Sequence, residues 1–170
     1  MTQPDPTTLI VLDPAGTASH GELPGTWRAF AQRNRVVWCG PEEVVDALRE
    51  QVGPLDILAS GTLADVAIAT AVKTPDRVRS VLLVDPGAKG GDAPGAPAIA
   101  ANDRWMTARR RSTSDLSSLG VDVRVVAQSR GGGRDRVVPP LPLGHPDVVA
   151  AVEEVLGAKN AVDTDPSSDR

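Results

Sequence analysis

Five short aliphatic runs constrain the fold more than any other feature of this chain. They are Thr8–Asp13 (TLIVLD), Arg35–Cys39 (RVVWC), Leu55–Ala59 (LDILA), Val78–Val84 (VRSVLLV) and Val121–Ala127 (VDVRVVA). Most are closed by Gly or Pro, as at Pro14, Gly40-Pro41, Pro86 and Gly131-Gly132-Gly133. Near-continuous apolar runs, instead of a polar/apolar alternation, are the pattern of strands buried on both faces, as in parallel sheets.

Helix-patterned segments fill the intervals. Thr26–Arg33 places Trp27, Phe30 and Ala31 on one face. Pro41-Glu42-Glu43 is suited to a helix start, because proline fits the first turn and carboxylates favour the positive end of the dipole. Val44, Val45, Leu48 and Val52 then form the expected stripe, ended by Gly53-Pro54. Leu63–Lys73 is an Ala- and Val-rich helix, 98–111 a further helical stretch ending in Arg109-Arg110-Arg111, and Ser112–Ser118 a source of cap residues. Pro146–Leu156 turns Val148, Val149, Val152, Val155 and Leu156 inward. Alternating strands and helices predict an α/β fold: three layers around a doubly wound, mostly parallel sheet with right-handed crossovers.

A length of 170 residues fits one domain. The expected domain spans 8–157, with 1–7 a flexible lead-in, 87–120 a short cap or connector, and 158–170 a disordered tail. The chain is 41% hydrophobic but has only Trp27, Trp38, Trp105 and Phe30 as aromatics, so the core is aliphatic. Scarce aromatics and a net charge of −4 argue against nucleic-acid binding. A single cysteine, Cys39, excludes an intramolecular disulfide and reads as a small buried hydrophobe. No basic leader precedes a long apolar run and no segment is long enough to cross a membrane, so the expected location is cytoplasmic. The bias towards Arg over Lys, with abundant Ala, Val, Gly and Pro, is that of a GC-rich bacterial genome.

His20, Cys39 and His145 have no metal-ligand spacing, and the Gly-rich stretches lack a dinucleotide or P-loop pattern. No cofactor is expected. A sheet this small leaves an open edge, which a second copy of the chain would cover in a homodimer.

Several phrases occur in a telling order. Leu9–Pro14 leads to Trp27-Arg28-Ala29-Phe30-Ala31; Ala59-Ser60-Gly61-Thr62-Leu63 follows a strand; Pro75-Asp76-Arg77-Val78 leads into Val81-Leu82-Leu83-Val84-Asp85-Pro86. Later come Gly132-Gly133-Arg134-Asp135-Arg136-Val137-Val138-Pro139 and Gly144-His145-Pro146. Over roughly residues 8–157, and most strongly over 55–86, this order resembles the α/β-hydrolase superfamily.

The resemblance implies a nucleophile elbow, G-x-S-x-G, on residues 59–63, where a sharp turn projects a serine hydroxyl. Counting back from Pro75 puts Gly61 at the nucleophile position. A shift of one residue would make Ser60 the nucleophile and set Leu58 and Thr62 on the glycine positions. Asp135 stands where the family carries its acid, with Asp85 as the alternative, and His145 where it carries its base. Oxyanion-hole amides would come from Ala15 and Thr62. Asp135 and His145 are separated by far less chain than the family places there.

The bland roles are a turn or cap residue for Ser60, a turn before Pro86 for Asp85, and a helix-start position for His145. Asp13 before Pro14 reads as a tight turn, and the arginine run beside Arg104 as a solvated face. The expected function is that of an α/β-hydrolase-like protein, catalytically impaired or non-catalytic, with a binding or partner role. The alternatives are a small ester or thioester hydrolase using Ser60, Asp135 and His145, and a domain binding a small-molecule ligand at the carboxyl ends of its strands.

Overall fold

The computed structural model describes residues 6–14, 23–89, 93–130 and 137–163. Five strands are present among them: β1 (Thr8–Leu12), β2 (Arg35–Cys39), β3 (Leu55–Ser60), β4 (Val78–Val84) and β5 (Asp122–Ala127). They form one sheet in the order β2-β1-β3-β4-β5, with every pairing parallel. The order reverses between β1 and β3, which is the topological switch point of an open α/β sheet.

Helices cover both faces. A 3-10 turn (Gly25–Trp27) leads into α1 (Arg28–Ala31), followed by α2 (Val44–Glu50), α3 (Leu63–Lys73), α4 (Ala96–Ala108), α5 (Arg110–Ser118) and α6 (Pro146–Asp163). The pleat of each strand sorts its side chains between two cores. Ile10, Leu12, Ile57, Ala59, Val81 and Leu83 pack against α2, α3, α5 and Trp105 of α4. Leu9, Val11, Leu58, Leu82 and Val84 pack against Trp27, Phe30 and α6. This is the expected three-layer architecture.

Several details differ from the sequence expectation. The inward stripe of α2 is Val44, Ala47 and Leu48, while Val45 and Val52 are 50% and 96% exposed. Val52 lies beyond the last helical residue, Glu50, so it never joins the stripe. The arginine run does not end a helix: α4 breaks at Arg109 and α5 continues through Ser118. Because Trp105 and Leu116 enter the sheet core, this segment is the crossover from β4 to β5. The last helix also passes Leu156 and continues to Asp163. Tertiary contacts hold its polar end: Lys159 Nζ lies 2.9 Å from Asp122, and Asn160 Nδ2 donates to Thr7 Oγ1 at 3.2 Å.

A buried polar network closes the amino ends of the strands. Asp56 on β3 is fully buried and accepts from Arg79 Nε (3.2 Å), from Arg79 Nη2 (2.6 Å) and from Ser80 Oγ. Arg79 also donates to Asn160 Oδ1 at 3.1 Å. Removing the carboxylate takes away the acceptor shared by Arg79 and the fully buried Ser80 hydroxyl. Asp56→Ala is therefore expected to lower the unfolding free energy by about 3–5 kcal/mol. Urea denaturation measures it, and a loss below about 1 kcal/mol would place the pair among weak surface bridges.

Candidate functional site

The carboxyl ends of β3 and β4 hold the residues on which the chemistry was expected. β3 ends at Ser60, and a two-residue turn, Gly61-Thr62, enters α3. Gly61 has φ +54°, in the left-handed region that glycine occupies without a Cβ penalty. Its N–H donates to Val84 O at 3.0 Å, and its carbonyl accepts from Ala64 N at 3.1 Å. The strand–turn–helix is therefore tight, with glycine at the bend. A Cβ at Gly61 would meet Pro140 Cγ at 3.3 Å and Ala88 O at 3.7 Å. The ring of Pro140 thus fills the direction in which a side chain at Gly61 would leave the turn.

Ser60 belongs to the strand, paired opposite Val84, and is buried. Strand alternation turns it to the same side of the sheet as Leu58, which packs beneath α6. Among the described residues it makes no hydrogen bond to His145 or to an acid. Thr62 occupies the N-cap of α3 but makes no side-chain cap bond. The chain at Ala15 and at Asp135 lies outside the described residues.

Asp85 follows β4 at φ +43°, which aspartate tolerates better than most residues. Its carboxylate is fully buried. Oδ1 accepts from Ser129 N at 2.9 Å and from Asn102 Nδ2 at 3.0 Å, and Oδ2 accepts from Leu141 N at 2.9 Å. Asn102, buried on α4, also accepts from Gly87 N at 3.0 Å and donates to Gln128 Oε1 at 3.1 Å. Gly87 is required there, since a Cβ would lie 2.2 Å from Ala101 O on α4. Asp85 is thus a tie between β4, α4, the segment after β5 and the segment before α6. The sequence reading missed Asn102 and Ser129. The available signal was a lone amide among alanines in α4.

His145 starts α6. Its carbonyl accepts from Val148 N and Val149 N, and its Nδ1 accepts from Asp147 N at 3.1 Å. Its side chain lines a cleft of about 620 Å³ between α4, α6 and β5, together with Gln128, Ser129 and Glu154. Thr62 lines a different cleft, of about 390 Å³, walled by Pro86–Lys89, by Arg104 and Trp105 of α4, and by Arg109 just after it. Thr62 and His145 therefore line separate clefts. Among the described residues the smaller cleft is lined by three basic side chains, Lys89, Arg104 and Arg109, and by one acid, Asp65, which Arg109 Nη2 engages at 2.8 Å. The Arg109 guanidinium also sits 4.3 Å from the Trp105 ring centre.

Asp13 serves the β1–β2 end: its N–H donates to Cys39 O at 2.9 Å and its Oδ2 accepts from Trp38 Nε1 at 2.8 Å. Among the described residues, no cluster of three or more His, Cys, Asp or Glu could hold a metal ion, and no helix is long and apolar enough to cross a membrane. No protein-family model matches the chain, and no curated protein sequence matches it significantly.

Cys39 is buried at the end of β2. Burial, and secondarily the negative charge of Glu43, push its thiol up to about 11. The thiolate is the reacting species, and at pH 8 it is about a thousandth of the total. Native protein is expected to resist a disulfide reagent such as DTNB at pH 8 and to release one equivalent of chromophore once unfolded in guanidinium. Stoichiometric reaction of the native protein within minutes would contradict this placement.

Proposed function

We propose that this chain is an α/β-hydrolase-like protein that has lost hydrolytic chemistry and acts by binding a small-molecule ligand or a partner. The observation that carries the reading is Gly61 at the bend after β3, with Pro140 against it. A serine hydrolase needs a hydroxyl at that bend, a base within hydrogen-bond reach, and an acid orienting the base. Gly61 supplies no hydroxyl, His145 spends Nδ1 on the first turn of α6, and Asp85 spends both oxygens on neutral donors. Loss of a triad nucleophile alone lowers turnover by roughly 10⁴–10⁶-fold.

The basic cleft beside Thr62 supports the binding role. It opens at the carboxyl ends of the strands, where ligands of open α/β sheets bind. The reading includes a cytoplasmic location and self-association through an open sheet edge, β2 or β5.

A fluorophosphonate probe tests the proposal. The wild-type protein is expected to remain unlabelled and to leave p-nitrophenyl acetate and a thioester at background hydrolysis. Gly61→Ser is expected to stay unlabelled too, and to lose about 1–3 kcal/mol of stability from the left-handed backbone and the Pro140 contact. Labelling of the wild type that disappears in Ser60→Ala would overturn the non-catalytic reading in favour of a Ser60 hydrolase.

A further inference from the structure

On the outer surface of the helical layer, α2 and α3 run side by side and enclose a groove of about 430 Å³. Its walls are mainly apolar: Val45 and Leu48 from α2, Val66 and Ala69 from α3. Val45 is half exposed although it lies on a wall of this groove. The polar groups collect at one end. Arg49 and Lys73 stand in the last turns of the two helices, and among the described residues no carboxylate lines the groove.

The carboxyl end of α2 is served by a residue other than Arg49. The last carbonyls of a helix carry partial negative charge. For α2 this is met by Arg77, whose Nη2 donates to Leu48 O at 3.1 Å and to Gln51 O at 2.6 Å. Arg49 makes one contact, 3.6 Å to Asp46, with both side chains about three-quarters exposed. Such a pair is worth little and leaves the guanidinium available to an incoming anion.

We propose that this groove binds an anionic amphiphile. A medium-length acyl chain would lie along Val45, Leu48, Val66 and Ala69, and its carboxylate would meet Lys73 and Arg49. The dimensions agree. A seven-residue helix such as α2 is about 10 Å long, which suits an acyl chain of moderate length. The volume falls within the range of small-molecule sites, and a few charged groups beside apolar walls are what fixes a ligand's orientation. A trough between helices also favours a single chain over a flat protein surface. The proposal is independent of the strand-end site, so its failure leaves the non-catalytic reading untouched, and the reverse also holds.

The test uses 11-(dansylamino)undecanoic acid as a fluorescent probe, with decanoate and decanol as competitors and light scattering run in parallel. Saturable binding is expected, with decanoate displacing the probe more effectively than decanol. Ala69→Trp, which fills the groove from an exposed position, should abolish binding while thermal unfolding stays near wild type. Lys73→Glu should weaken probe binding by up to about fivefold, the upper end for an exposed charge contact, and leave the inhibition constant of decanol unchanged. Three results would each overturn the proposal: no saturable binding, binding indifferent to Ala69→Trp, or a dimer in solution that Ala69→Trp dissociates. The last would assign the groove to a second copy of the chain.

Discussion

The buried carboxylate of Asp85 is the contact on which the carboxyl end of the sheet depends. A polar group removed from water is tolerable only when hydrogen-bond partners replace its hydration. Here the donors come from three segments far apart in sequence: Asn102 of α4, the Ser129 amide after β5, and the Leu141 amide before α6. One side chain therefore gathers the loops that would otherwise be free to shape an open site. Asn102 extends the tie to Gly87 and Gln128, and Ser129 Oγ to Val137 O at 2.8 Å.

This tie has a chemical consequence. Leu141 is held one residue after Pro140, and Pro140 lies against Gly61. The same loop is fixed from the other side by Trp27 Nε1, which donates to Leu143 O at 2.9 Å, and by Thr26 Oγ1, which donates to Gly144 O at 2.7 Å. The elbow is thus roofed by a loop anchored at both ends. In a hydrolase that loop would instead deliver a base towards the nucleophile. Asp85, the turn at Gly61 and His145 are parts of the scaffold, so on the proposed reading the loss of chemistry involves more than a missing hydroxyl.

The strands were legible because their signal is local: unbroken aliphatic runs bounded by Gly and Pro. Each was placed to within a residue or so, whereas the bend at Gly61 was expected from the resemblance, by counting back from Pro75. Helix detail was less accessible. Val45 and Val52 suggested the stripe of α2 by residue type, but Ala47 faces inward and Val52 lies past the helix end. The polar sequence after Leu156 gave no sign of order, since its partners Asp122, Thr7 and Arg79 are remote in the chain. Asn102 was hidden for the same reason. The candidate site was legible as a set of positions; the direction of each side chain, and which neighbour spends it, depends on the folded loops.

The proposed role of Asp85 is that of a structural tie and not of a catalytic acid. Amide hydrogen exchange in Asp85→Gly tests this most directly, because glycine accepts the positive φ and removes only the carboxylate. The amides of Gly87, Ser129 and Leu141 are expected to lose protection together while those of β1 and β3 keep it. Retention of wild-type protection at Ser129 and Leu141 would contradict that role.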